Sequence, residues 1–507
     1  MLASASPAIP KDEAFQPFCR KHFDDLDRLG RAAESKLDPA VLKIAVVVVL
    51  GAIMAILDTT VVSVAQNTFQ EEFNTNQAGA AWTITGYTLA LAAVIPLSSW
   101  AAARFGTRNV YLTSLVLFVL GSALCALAWD ITSLTVFRVL QGLGGGMLMP
   151  IGMMILTKAA GPARVGSVMA MLGIPMLLGP IMGPIIGGAL IEYASWHWIF
   201  LINVPIGIAA FFYAFAILPG QSERARPSFD FIGLLLLSPG LALFLYGISL
   251  STEHGSFTDT PVLVTAGIGL LLMIGFVFHA TRATNPLLDL SLFKNRKLTM
   301  AVTTMTFFMI AFLGAALLFP QYYIGVRGES TLMTGLLLAP QGLGAMLTMP
   351  MSGKLTDKQG PGKLVMIGIV LITLGMGAFI YVGPDTSFWL LSIALFVQGL
   401  GMGMTMMPIM SAALGTLSDS QVPDGSTLMN VVQQAAGSVG TAITSVILVN
   451  NLKGAENLSD MADGFGATFV VTTLLIALCF IPAFFLPRKA VARVLETNDK
   501  PVPVMMH

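Results

Sequence analysis

One carboxylate and one guanidinium stand deep inside the apolar stretches of this 507-residue chain: Asp58, in LDTTVVSVA, and Arg138, in FRVLQGLGGG. An ionised carboxylate at the centre of a lipid-spanning helix costs about 2.5–3.5 kcal/mol on insertion scales, and a proton removes much of that cost. Low dielectric favours the neutral carboxyl and a nearby cation favours the charged one. Asp58 can therefore load and release a proton as its surroundings alternate. At 1.5 Å per helical residue, both groups lie roughly 10–12 Å from the same end of their segments and can sense each other. The pair reads as a proton-coupling device or as a permanent structural ion pair, and ionisable groups in spans are functional by default.

A second constellation is a ridge of small residues. Gly179, Gly183 and Gly187 follow one another at i, i+4 spacing with Gly188 beside them, and Pro180 and Pro184 interrupt the same stretch. Such a face lets helices approach closely in lipid, while each proline removes a backbone donor and bends the helix. Trp82, Tyr87, Gln141, Phe307, Phe308, Asn430, Gln433 and Gln434 are candidates for a ligand cavity, because amides and aromatic faces inside spans prefer protein to lipid. The 29 Met residues either line an adaptable apolar wall or fill gaps.

No GxxxxGK[ST], HExxH or GxSxG occurs, the five His are dispersed, and Cys19, Cys125 and Cys479 are scattered. The sequence thus points to no nucleotide loop, metal site, cofactor, enzymatic nucleophile or disulfide framework. Zero formal net charge argues against a nucleic-acid partner. Energy would then come from an ion gradient or from the solute's own.

These groups need helices long enough to cross a bilayer core of about 30 Å, which takes roughly 20 apolar residues each. The composition, 55% hydrophobic and 11% charged, supplies them. The hydropathy pattern predicts fourteen spans, at 42–66, 80–102, 110–128, 131–156, 165–190, 198–219, 231–251, 262–281, 298–324, 332–352, 363–383, 387–412, 426–450 and 466–487. Of the 27 Lys and Arg residues, all but Arg138, Arg327 and Lys453 fall in one alternate set of connections. Basic loops stay in the cytoplasm during insertion, so both termini are expected inside. In the leading tail, Leu26, Leu29, Ala33 and Leu37 recur at helical spacing, fitting either a short helix on the inner membrane surface or a solvated tail. The tail lacks the cleavage pattern of a removable signal peptide, so the first span is expected to remain as an anchor.

LQGLGGGMLMPI at 140–151 is echoed by VQGLGMGMTMMPI at 397–409 and by PQGLGAMLTMP at 340–350, which points to duplicated halves. Taken together, LDTTVVSVA, FRVLQGLGGG, LGPIMGPIIGG at 178–188 and WHWIFLINVPIG at 196–207 make the chain resemble the fourteen-span drug:proton antiporter branch of the major facilitator superfamily. The resemblance covers nearly all of 42–487.

It implies an all-α integral membrane protein with two six-helix bundles plus two inserted helices. The expected organisation is a cytoplasmic tail 1–41, an amino-terminal bundle 42–219, a linker with the inserted helices 220–297, a carboxy-terminal bundle 298–487 and a tail 488–507. The resemblance further implies a plasma-membrane multidrug exporter, in a bacterial inner membrane, that trades protons for lipophilic compounds among membrane lipids as a monomer. Asp58 and Arg138 would couple the proton, and the glycine ridge would pack one half against the other and accompany export. The runner-up activities are export of one endogenous lipid or metabolite and, in another class, a non-transporting sensor. One departure stands out. SWAAARFGTR puts Ser99 and Ala103 where the family usually has Gly and Asp, whereas GKLTDKQG keeps Gly353, Asp357 and Lys358. A charged inner gate built from Arg104, Asp357 and Lys358 should therefore lean on the second copy.

Overall fold

A hydrocarbon solvent offers backbone amides no partners, so a chain this apolar must close its hydrogen bonds within each segment. In a computed structural model, which describes residues 38–161, 164–220 and 228–489, it does so with α-helices. Thirteen of them are long and apolar enough to cross a membrane, and a further 29-residue helix, Val165–Tyr193, runs between the fourth and fifth of these. In chain order they are α1 Pro39–Val64, α2 Gln77–Phe105, α3 Thr107–Cys125, α4 Ile131–Ala160, α5 Val165–Tyr193, α6 Trp198–Ile217 and α7 Phe231–His254. They continue with α8 Thr260–Ala280, α9 Arg296–Gly325, α10 Thr331–Gln359, α11 Pro361–Tyr381, α12 Phe388–Leu414, α13 Val422–Asn451 and α14 Leu458–Ala483. The residues proposed for a surface helix at 26–37, Cys19, Arg224, Arg226 and the tail from 490 lie outside the described residues.

Polar residues in four of the connections cap the helices that follow. Asn76, Asp130, Ser330 and Asn457 each accept the backbone N–H three residues on, at 2.6–3.2 Å. The Asn457 cap explains why α14 begins at Leu458 rather than near 466. Asp460 and Asp463 read as loop, yet they occupy a capped first turn beyond the apolar stretch. Gly106 and Gly360, both at φ 85°, make the matching tight turns after α2 and α10, a backbone region closed to most side chains.

Packing repeats. α4 lies against α2 and α3, and α12 lies against α10 and α11 in the same manner. The halves meet along two seams, α5 on α10 and α2 on α13. The inserted α7 pairs with α8 and also touches both α2 and α13.

Candidate functional site

Asp58 sits six residues before the end of α1, about 9 Å deep, and Arg138 seven residues into α4, about 10 Å deep. Both side chains are sealed from solvent and form an ion pair through Arg138 Nη1 and Asp58 Oδ2. The other carboxylate oxygen, Oδ1, accepts from Gln141 Nε2 at 2.8 Å and Asn203 Nδ2 at 3.1 Å. Ser122 Oγ accepts from the same two amides at 2.8 and 3.0 Å, which ties α3 into the cluster.

Arg138 is held through Nε and Nη1, while its buried Nη2 has no hydrogen-bond partner. Its Nε donates to the Thr83 carbonyl at 2.9 Å and its Nη1 also donates to Gln141 Oε1 at 2.7 Å, while its guanidinium lies 4.1 Å from the Tyr87 ring centre. The glycines of α4 permit this. A Cβ on Gly142 would strike the α2 backbone at Tyr87, and one on Gly144 the α3 backbone at Phe118. Against these close-packed helices, Asp58 of α1 and Asn203 of α6 join Arg138 and Gln141 of α4 in a dry core. All of Asp58's partners are donors, the arrangement an ionised carboxylate requires.

Gln141, read as a cavity residue, therefore stands fully buried in the Asp58 network. Asn203 and Ser122 were missed. Their signal was available, since each is a polar residue within an apolar span.

The glycine ridge differs from expectation. A Cβ on Gly179, Gly183 or Gly187 would meet Ile56, Thr60 or Val61, so the ridge packs on α1 of its own half rather than across the halves. Gly437 and Gly440 of α13 meet Leu313 and Ile310 of α9 in the same way. The small-residue seam thus joins the first and fifth helices of each repeat. Gly188 has nothing within 4 Å of its Cβ position, and the side chains of Pro180 and Pro184 lie outside the described residues.

Contact between the halves is made nearer the end of the molecule that carries Arg104, Arg108, Lys158, Lys354 and Lys358, here called the basic end. Asp357 reaches from α10 to the start of α5, accepting from Gly166 N at 2.8 Å, Ser167 N at 3.0 Å and Ser167 Oγ at 2.6 Å. Arg104 and Lys358 are exposed and take no part in it. On the other seam Ser98 shares a 2.8 Å hydrogen bond with Thr427, and Ser99 donates to the Leu287 carbonyl at 3.1 Å. At the opposite end the halves part around a cavity of about 430 Å³ between α2, α7, α9 and α13.

Of the remaining cavity candidates, none lines this space. Trp82 is exposed and packs on Tyr246, Phe307 is exposed, Phe308 stacks on Phe312, Asn430 is buried against Ser426 and Met153, and Gln433 and Gln434 are half-buried. The residues that do line it are mostly hydroxyl-bearing, at helical spacing: Thr85 and Thr88, Ser249 and Thr252, Ser438 and Thr441. That periodic polar face was the missed signal.

Residues 48–441 match the Major Facilitator Superfamily. The multidrug resistance protein B homolog of Mycobacterium tuberculosis is 44% identical over 498 residues, covering 90% of this chain and 92% of that protein. Among solved structures, the human organic anion transporter MFSD10 aligns over 88% of this chain and 100% of its own, with a TM-score of 0.62 and 16% identity. The proton:xylose symporter XylE aligns over 88% and 96%, with a TM-score of 0.57 and 15% identity. An unbroken run of membrane-crossing helices, a repeated packing plan and a buried ion pair at the heart of one repeat thus find their place: the chain belongs to the major facilitator superfamily, as a multi-pass, multidrug-resistance-like transporter of small molecules.

Proposed function

We propose that the chain is a proton-coupled antiporter that exports lipophilic and amphipathic compounds by alternating access. The observation that carries this reading is the sealed Asp58 carboxylate, paired with Arg138 and held by Gln141 and Asn203. A proton on Asp58 cancels the charge that holds the guanidinium, leaving a buried cation that must find new partners, so protonation and helix movement are linked. The contacts offer a route. Asp58 lies between Ile56 and Thr60, which seat the α5 ridge, and α5 begins at the two amides that Asp357 caps from the other half. A shift of α1 therefore bears directly on closure of the basic end.

The basic end is the cytoplasmic one by the distribution of Lys and Arg, in a bacterial inner membrane. The conformation is then closed inside and open outside, the state in which cargo leaves. The multidrug resistance protein B homolog supports export of varied compounds. At about 150 mV one proton supplies roughly 3.5 kcal/mol, enough for a gradient near 300-fold of an uncharged solute.

Inside-out vesicles with and without an imposed pH gradient test the reading. Wild type should accumulate a lipophilic dye only with the gradient, and Asp58→Asn should insert normally but lose that accumulation. Equal flux in the variant rejects Asp58 as the coupling group, and a carboxyl terminus labelled from outside rejects the orientation.

A further inference from the structure

We propose that α7, the first inserted helix, is a wall of the transport cavity, and that this cavity takes uncharged, hydrogen-bonding amphiphiles in preference to cations. The inference rests on the alternating-access reading above. α7 sits across the seam between α2 and α13. Toward the basic end it is sealed there by an apolar plug in which Leu241 and Leu245 pack with Ala92, Ile95 and Val431. Beyond the plug the two halves separate, and α7 presents Tyr246 and Ser249 to the space between them, opposite Gln321 of α9 and Ser438 and Thr441 of α13. α8 backs α7, and about half of its residues are exposed. The inserted pair thus closes one side of the cleft and supplies part of its lining.

The chemistry of that lining selects a ligand class. About 430 Å³ is the size of a small-molecule site. Among the described residues lining it none carries a charge, and Asp58 is sealed and paired with Arg138. A permanent cation would enter without a counter-charge, in surroundings of low dielectric. Hydroxyls suit a neutral partner instead. Thr88 and Thr441 donate back to their own helices, at 3.0 and 3.1 Å, and keep lone pairs free to accept. The Gln321 amide supplies both a donor and an acceptor, and Leu89, Leu245 and Leu317 supply an apolar floor.

Equilibrium binding to purified protein in nanodiscs at a single pH tests this without any gradient. The probes are radiolabelled chloramphenicol, an uncharged amide diol, and tetraphenylphosphonium, a permanent cation. Wild type should bind the first saturably and the second at least about tenfold more weakly. Ser249→Trp, which fills the cavity from α7, should weaken chloramphenicol about tenfold, and Ser438→Asp should bring tetraphenylphosphonium binding up about tenfold. Phe278→Trp on the exposed face of α8 serves as the folding control and should bind as wild type does. Tighter binding of the cation by wild type, or unchanged binding by Ser249→Trp, overturns the proposal. Binding that follows these expectations while pH-driven flux is absent rejects proton antiport and leaves the cavity standing. Asp58-dependent flux of the cation with no chloramphenicol binding does the reverse.

Discussion

The two halves share a packing plan but not a chemistry. Gly121 of α3 lies against the backbone of Gln141, and Gly375 of α11 lies against the backbone of Gln398 in the same way. Gln141 finds partners in Asp58, Arg138 and Ser122, whereas Gln398, equally buried, finds none for either amide atom. Leu395 occupies the place of Arg138, and Met376 follows Gly375 where Ser122 follows Gly121. The repeated glycines therefore serve close approach of helices, and among the described residues the buried acid–guanidinium pair belongs to the first half. An unpartnered buried amide costs about 1–3 kcal/mol, so Gln398 is a burden in this conformation that Gln141 is not.

Exchanging each amide for leucine gives the largest contrast. Gln141→Leu removes a donor to a buried carboxylate and leaves Asp58 and Ser122 short of partners, a loss of about 2–3 kcal/mol that should slow pH-driven transport roughly 30- to 150-fold. Gln398→Leu should leave transport within about twofold and raise thermal stability, because it replaces an orphaned amide by a similar apolar volume. Vesicle flux and melting of the purified proteins read both. Equal losses would mean that the second half has a polar site of its own in another conformation.

The glycine seams allow a finer comparison, expected to be somewhat smaller. Gly183→Leu must displace Thr60, two residues from Asp58, and Gly437→Leu must displace Leu313, which has no titratable neighbour in its helix. Overpacking costs about 1–3 kcal/mol in either place, so both should lower turnover roughly tenfold. Only the first should also move the pH at which transport is half-maximal. A pH profile unchanged in Gly183→Leu would separate the α1–α5 seam from proton coupling.

Much of this was legible in the sequence, for identifiable reasons. A bilayer imposes one length and one polarity on every span, so apolar stretches and the Lys and Arg count located the helices, and a stranded Asp58 announced itself. Boundaries drifted where a cap, as at Asn457, started a helix in polar sequence. Arg138 and Gln141 lie three residues apart on one helix, but that both converge on Asp58 depends on how α1 meets α4, which no single-helix pattern states. The direction of the glycine ridge was lost for the same reason. Small residues reveal that a neighbour is close and leave open which neighbour it is. The cavity escaped because weakly polar Ser and Thr faces stand out less than aromatic and amide groups.

The loops after α2 and α10 provide the next contrast. Both turn at a glycine of φ 85°, but the last turn of α2 has Ala103 and an exposed Arg104, and the last turn of α10 has Asp357 bound to the start of α5. A carboxylate at a helix N-terminus contributes about 0.3–2 kcal/mol, so Asp357→Asn should loosen the closed end several-fold, and Arg104→Ala should leave it unchanged. Alkylation of a cysteine at position 170, where Ala170 lies in the α5–α10 seam, measures this in a background free of native cysteines. Equal protection in Asp357→Asn would show that the hydroxyl seam of Ser98 and Thr427 suffices.

The inserted hairpin has no counterpart in either repeat, and its clamp predicts the smallest effect. Asp230 caps α7 at Gly233, accepts from Leu287 N at 2.9 Å and meets His279 Nε2 of α8 at 2.7 Å. Burial pushes its carboxyl up, but the two amides and His279 outweigh burial and hold it below the usual carboxylate value. A depressed folded value stabilises the hairpin above the unfolded value of about 3.9, and that contribution is lost as the pH falls through the folded one. The Asp230 contribution should therefore be fully present above about pH 5 and be lost below about pH 4. Trp100 packs 4.5 Å from the Phe229 ring beside this clamp, so its fluorescence reports the change once the other tryptophans are replaced by Phe. Asp230→Asn should abolish the acid step and leave the rest of the titration intact. A step that survives in that variant would assign it to the seams between the halves, where Asp357 and Asp424 are acids at the closed end and Asp424 shares a cavity with Trp100.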